Sequence, residues 1–238
     1  MPRAFLLACV LALAACASLP PAATPDVLLL GEQHDADAHP RLHQRAVEEL
    51  VATGRLAALA LEMADAGRTT AGLPAQATQP QVREALAWDE RAWPWARYAG
   101  PVMAAVRAGA PVAGANVSRL RLREAAADAS LDAGVGPDVM RAQVDAVREG
   151  HCGLLPAAQL APMARMQVAR DRAMAQSVAA LAKPGQTVVV ITGARHADPK
   201  TGVAVHLPAS LRFESRIWPA EPARDDHCAR LRQQWAPK

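Results

Sequence analysis

The sequence predicts an α/β fold, a mainly parallel central sheet flanked by helices, with a helical cap over the carboxyl-end edge of the strands. Three observations carry that expectation. The apolar run Leu28-Leu29-Leu30 stops at Gly31 and delivers Glu32, Gln33 and His34. A buried parallel strand looks like this where it reaches its carboxyl end, the edge at which open α/β sheets keep their ligands. Val188-Val189-Val190-Ile191-Thr192-Gly193-Ala194-Arg195-His196 repeats the pattern near the other end of the chain, so two strands end in Gly-x-x-His. Between them, short apolar runs alternate with helical periodicities, the order that builds β-α-β units. If both strands lie in one sheet, His34 and His196 converge on one rim.

Val27 to Gly31 is the first strand. Asp35 to His39 reads as a polar turn, and Arg41 to Thr53 carries Leu42, Ala46, Val47, Leu50 and Val51 at helical spacing until Gly54 ends it. His39 and His43, four apart, are expected in a solvated first turn. Leu56 to Met63 is the second strand, and Glu62 sits at its carboxyl end. A carboxylate closing an apolar strand has to be paired, protonated or bound to a cation, which makes Glu62 a candidate site residue. Asp65 to Gln81 is rich in Gly, Thr, Pro and Gln and has no periodicity, so it is expected to form a flexible lid beside the site.

Trp88 to Tyr98 holds three of the five tryptophans and the one tyrosine. Pro94 is placed to open a helix through Val102, Met103 and Val106 to Gly109. The cluster fits helix packing, and fits equally a flat apolar surface for a planar ligand, with Tyr98 able to offer a phenolate to ferric iron. Pro111 to Asn116 is a third strand, after which Ser118 caps a helix running through Asp128. Another helix lies within Gly134 to Gly150, beginning at Pro137. Pro156 to Leu181 is the longest, with Met163, Met166, Val168, Met174 and Val178 on an apolar side and Arg165, Arg170, Asp171 and Arg172 on the other. Val203 to Leu207 and Phe213 to Trp218 are expected as short strands or edge segments, and Pro219 to Lys238 as a polar tail. An insertion over roughly residues 65–175 is expected to supply the cap.

The chain has 238 residues, 51% of them apolar, enough for a substantial core. A net charge of +3, with arginines dispersed among carboxylates, gives no nucleic-acid footprint. Residues 1–15 read as a signal peptide: a short positive start, then an apolar stretch shorter than the ~20 residues that a membrane span needs. Leu13-Ala14-Ala15-Cys16 matches the bacterial lipobox, which predicts cleavage before Cys16 and lipidation of that cysteine. Ala17 resembles an outer-membrane sorting residue. Residues 16–26 then form a lipidated tether and 27–238 the folded domain, held to the membrane through lipid only. With Cys9 removed and Cys16 acylated, Cys152 and Cys228 remain, and an oxidising periplasm makes a disulfide between them the default. A Cys-His metal site from His151-Cys152 and His227-Cys228 is the alternative, disfavoured because adjacent residues do not easily share one ion.

Gly31-Glu32-Gln33-His34, Leu61-Glu62-Met63, the Trp93 to Tyr98 segment, Asn116-Val117-Ser118-Arg119, Arg170 to Ala175 and Gly193-Ala194-Arg195-His196 occur in an order that resembles ChaN-like haem-binding lipoproteins. That family is similar in turn to Tiki metalloproteases and erythromycin esterases. The resemblance implies a haem-binding lipoprotein of the outer membrane, periplasmic or surface-facing, engaged in haem and iron uptake with an outer-membrane receptor as a possible partner. It also implies a homodimer holding two facing haems, each iron taken by a tyrosine oxygen. Tyr98 is then the carry-over candidate for the iron, with Trp95, His34, His196 and Arg119 around the cofactor. The Tiki side implies a hydrolase instead, with His34, Glu62 and His196 on a divalent metal ion and Glu32 as base. The esterase side implies His34 as a metal-free general base, with Glu62 and Arg119 positioning the substrate. Whether the chain is an enzyme stays open at this point.

Overall fold

The computed structural model describes residues 24–222 and 226–235; the signal segment 1–15, Cys16 and the tether as far as residue 23 lie outside the described residues. Five strands form one sheet: β1 (Val27–Glu32), β2 (Leu56–Asp65), β3 (Val112–Asn116), β4 (Thr187–Gly193) and β5 (Phe213–Ile217). Their order is β3-β2-β4-β1-β5, and every strand pairing is parallel. The helices are α1 (His39–Ala52), α2 (Gln79–Ala85), α3 (Trp95–Arg107), α4 (Arg119–Ala127), α5 (Ser130–Val135), α6 (Pro137–Gly150), α7 (Ala157–Leu181) and α8 (His227–Gln234).

Side chains alternate along a strand, so each strand feeds two cores. Leu28, Leu30, Leu59, Leu61, Val189 and Ile191 pack on one side with Val47 of α1 and Val102 and Val106 of α3. Val27, Leu29, Ala58, Ala60, Val188 and Val190 pack on the other with Met174, Ala175 and Val178 of α7. Burying each such aliphatic side chain contributes about 1.5–3 kcal/mol, which is what fixes strand register here. Register brings Glu32 opposite Gly193 and Leu61 opposite Ile191, so the polar ends of β1, β2 and β4 lie side by side.

Several expectations are corrected. The helices between Asp65 and Val112 cover the α1 face of the sheet; the cap over the strand ends comes from α6 and α7. The expected lid is stitched to the edge of the sheet, because Thr70 N–H donates to Val112 O at 2.8 Å and Val112 N–H donates to Thr70 Oγ1 at 2.9 Å. His39 and His43 are buried, because α1 starts at His39, two residues earlier than expected, and turns both inward. Val203–His206 is a single 3-10 turn, and the polar tail contains α8. The expected disulfide between Cys152 and Cys228 is present and ties α8 to the end of α6. Among the described residues no helix is long and apolar enough to cross a membrane.

Candidate functional site

Parity along β1 puts Glu32 on the side of Leu28 and Leu30, facing α1 and α3. There it is buried at 2% exposure and collects three groups. The Tyr98 hydroxyl donates to Oε1 at 2.6 Å, and His34 Nδ1 lies 2.8 Å from the same oxygen. His43 Nδ1 lies 3.4 Å from Oε2, though neither ring nitrogen of His43 makes an aligned hydrogen bond. Burial pulls the His43 imidazole down to about 4 despite the carboxylate beside it. Burial, reinforced by Glu32, pushes the Tyr98 phenol far above its ordinary range, so its oxygen stays protonated and donating. Burial alone would lower His34, but its hydrogen bond to Glu32 and the field of Glu62 raise it.

Glu62 follows Leu61 on β2 and so faces the opposite side, toward α7. Its Oε2 accepts from Thr192 Oγ1 at 2.7 Å and Gly193 N–H at 2.8 Å. Its Oε1 lies 3.5 Å from an Arg170 guanidinium nitrogen and 3.6 Å from His196 Nε2. Burial would raise this carboxyl, but His196, His34 and the two hydrogen bonds outweigh it and hold it at about 2. His196 turns its other nitrogen, Nδ1, to Asp171 Oδ1 at 2.6 Å. Burial opposes charge on His196 as well, yet the two carboxylates lift it to about 9. Gln143 Nε2 completes the set, donating to Thr201 O at 2.8 Å and reaching Asp171 Oδ2 at 3.2 Å.

Both clusters open on one cleft of about 510 Å³ at the carboxyl ends of β1, β2 and β4. That size is ordinary for a small-molecule or cofactor site. His34, Glu62 and His196 line it, as expected, and so do Trp93, Val147, Arg170, Arg195 and His151. Trp93 meets the His34 ring edge-on, with centroids 4.9 Å apart.

Three expected site residues lie elsewhere. Tyr98 is 1% exposed and spends its oxygen on Glu32, so the expected iron ligand is sealed behind the carboxylate. Trp95 packs into the core against Trp88 and donates its Nε1–H to Gln79, while Trp93 takes the place at the cleft. Arg119 opens α4 as an exposed residue, and Arg170 is the guanidinium that reaches Glu62. The expected metal set is also corrected: among the described residues no three of His, Cys, Asp and Glu form a group that could hold a metal ion.

Asp171 was not among the expected site residues. Its signal was present in the helix register: Ala164, Val168, Asp171, Ala175 and Val178 recur at spacings of three and four, and all are buried. A carboxylate inside an apolar stripe needs a buried partner, and His196 is that partner.

Residues 19–207 match a family described as haem-binding uptake, Tiki superfamily, ChaN. Among solved structures, the one describing cofacial heme binding to ChaN of Campylobacter jejuni is 23% identical, with 79% of each chain covered and a TM-score of 0.61. That degree of identity bears on the fold. No curated protein sequence matches this chain.

Proposed function

This chain belongs to the haem-binding uptake family of the Tiki superfamily that includes ChaN, and from that premise we propose that it holds haem in the cleft at the strand ends. The observation that carries the reading is the cleft itself, where an apolar wall meets cations and imidazoles. Its volume of about 510 Å³ suits a cofactor, and Trp93, Ala146 and Val147 offer apolar surface to a macrocycle. Arg170 and Arg195 supply guanidinium groups for two propionates. His34, held by Glu32 at 2.8 Å, adds a ring nitrogen to the same wall.

When bound, haem supplies an iron centre; the residues of this chain hold the propionates, cover the ring and exclude water. Glu62 keeps Arg170 extended toward the cleft. In this reading the protein is a lipoprotein anchored at Cys16 to the outer membrane, serving haem and iron uptake alongside a receptor, and pairs as a homodimer when loaded. The supports are the lipobox residues Leu13 to Cys16 and the family to which the chain belongs.

Titration of the full chain in detergent with ferric protoporphyrin IX tests it. Saturable binding that quenches tryptophan fluorescence, weakened in Arg170→Ala, is the expected result. A chain that binds no haem ends the proposal. Sedimentation with and without haem tests the dimer, and palmitate labelling of the expressed chain tests Cys16.

A second reading has one specific support, the 2.8 Å contact that lets the Glu32 carboxylate orient His34 at the edge of the cleft. An imidazole so held is equipped to take a proton from water, which would make the chain a metal-free hydrolase. Ester hydrolysis abolished in His34→Ala would support it, and no hydrolysis across a panel of esters and lactones would remove it.

A further inference from the structure

Resting on the haem reading, we infer that His151 is the residue that ligates the haem iron. Three imidazoles line the cleft, those of His34, His151 and His196, and the other two are committed. His196 is clamped between carboxylates, with Nδ1 2.6 Å from Asp171 and Nε2 3.6 Å from Glu62. His34 holds Nδ1 on Glu32 at 2.8 Å, meets Trp93 edge-on, and turns Nε2 against Gly193, where a Cβ would lie only 3.0 Å away. Tyr98, the one phenol, is sealed behind Glu32.

His151 is arranged differently. Its Nδ1 lies 2.7 Å from the backbone oxygen of Val147. A carbonyl only accepts, so Nδ1 must carry the hydrogen, and the neutral ring is left with its electron pair on Nε2. A backbone carbonyl on the far nitrogen is one of the supports that metal-bound histidines have, beside carboxylates and water, because it fixes the tautomer and makes the ligating nitrogen more basic.

The ring is also held in place from outside the cleft. It follows α6 directly, and the next residue is bonded to Cys228 of α8. Its face stacks on Trp235, with centroids 6.3 Å apart and planes 23° apart. His227 Nε2–H donates to the Gly150 carbonyl at 2.9 Å, a second tie between α8 and the end of α6. His151 borders a second hollow of about 390 Å³ as well, formed with Leu155, Pro156, Met163 and Trp235. His151 thus stands at the border between the cleft that holds Arg170 and Arg195 and an apolar hollow.

The test is resonance Raman and electron paramagnetic resonance spectroscopy of the full chain loaded with protoporphyrin IX iron. The wild type is expected to show an iron–imidazole stretch when reduced. His151→Ala is expected to lose that band and about tenfold or more of its haem affinity, and added imidazole should restore the band. His151→Gln checks the fold, since it keeps a polar group of similar size beside Val147 and loses the ligand. If the wild type binds no haem, the haem reading falls and this inference with it. If haem binds and the band survives His151→Ala, or is lost in His34→Ala instead, the cleft stands as a haem site and His151 as its ligand does not.

Discussion

The ring of His34 occupies the space that a side chain on Gly193 would need. A Cβ built at Gly193 would lie 3.0 Å from His34 Nε2 and 3.3 Å from Cε1. The relation is reciprocal between the two Gly-x-x-His strand ends, since a Cβ at Gly31 would lie 2.8 Å from the Cβ of Ala197 and 3.1 Å from the Cα of Ala194. Each glycine clears room for the other strand's turn, which is why the pattern recurs on neighbouring strands.

Gly193→Ala should therefore leave the fold intact and weaken haem binding. The neighbour it strikes is the end of a partly exposed side chain, which can give, so unfolding should cost no more than about 1 kcal/mol. Haem affinity should fall several-fold as His34 tilts away from Glu32. Gly31→Ala strikes the Cβ of Ala197 and the Cα of Ala194, neither of which can swing aside, and should cost more stability. Equal urea midpoints for the two variants would contradict this account.

Tyr98→Phe separates packing from coordination. Losing the hydroxyl leaves Glu32 Oε1 with one donor fewer at a buried position, which should cost about 1–3 kcal/mol. The absorption spectrum of bound haem should not change. A ferric phenolate band that disappears in this variant would restore Tyr98 as the ligand and displace His151.

The sheet was legible because burial on both faces writes continuous apolar runs, and the glycine at each strand end marks where the chain must turn under its neighbour. Glu62 was legible for the same reason, as an acid at the end of an apolar run. Asp171 was not, because Arg170 and Arg172 on either side made it look like part of a solvated face. That Trp93 and not Trp95 faces the cleft was not legible, because aromatic density says nothing about which ring turns inward. Arg119 was expected at the site only through the resemblance carried by Asn116 to Arg119, and the first turn of α4 points it to solvent.

Asp171→Asn tests the clamp on His196. The folded value for His196, about 9, lies above the ordinary 6.5, so its charge stabilises the fold fully below pH 6.5 and ceases to do so as pH rises through 9. The shift corresponds to on the order of 3 kcal/mol. Wild-type stability should fall across that interval, and the variant, with His196 titrating lower, should start less stable and fall less. Urea midpoints at pH 6, 7.5 and 9 measure both curves, and parallel curves would contradict the clamp.

The acid side follows from His43 and Glu62, with the sign set by each. Burial keeps His43 neutral, with a folded value of about 4 against 6.5, so the unfolded chain takes up that proton first and stability drops as pH falls from 6.5 to 4. Glu62 is held at about 2 against 4.5, so its contribution is present above 4.5 and is lost as pH falls toward 2. His43→Leu should flatten the upper interval and leave the lower one. A wild-type midpoint constant from pH 7 to pH 4 would show that the buried ring is not under this pressure.

The Cys152–Cys228 bond should matter to haem binding as well as to stability. Its two residues are 76 apart in sequence, and closing a loop of that length removes enough unfolded-state freedom to stabilise the fold by up to about 4 kcal/mol. The segment it fixes also carries the His151 ring and the stacked Trp235. Changing both cysteines to serine should therefore lower the urea midpoint, and at a pH and temperature where the variant stays folded it should still weaken haem binding and broaden the iron–imidazole band. Stability lost with haem affinity unchanged would confine the bond to holding α8, and would argue that His151 keeps its place through Val147 alone.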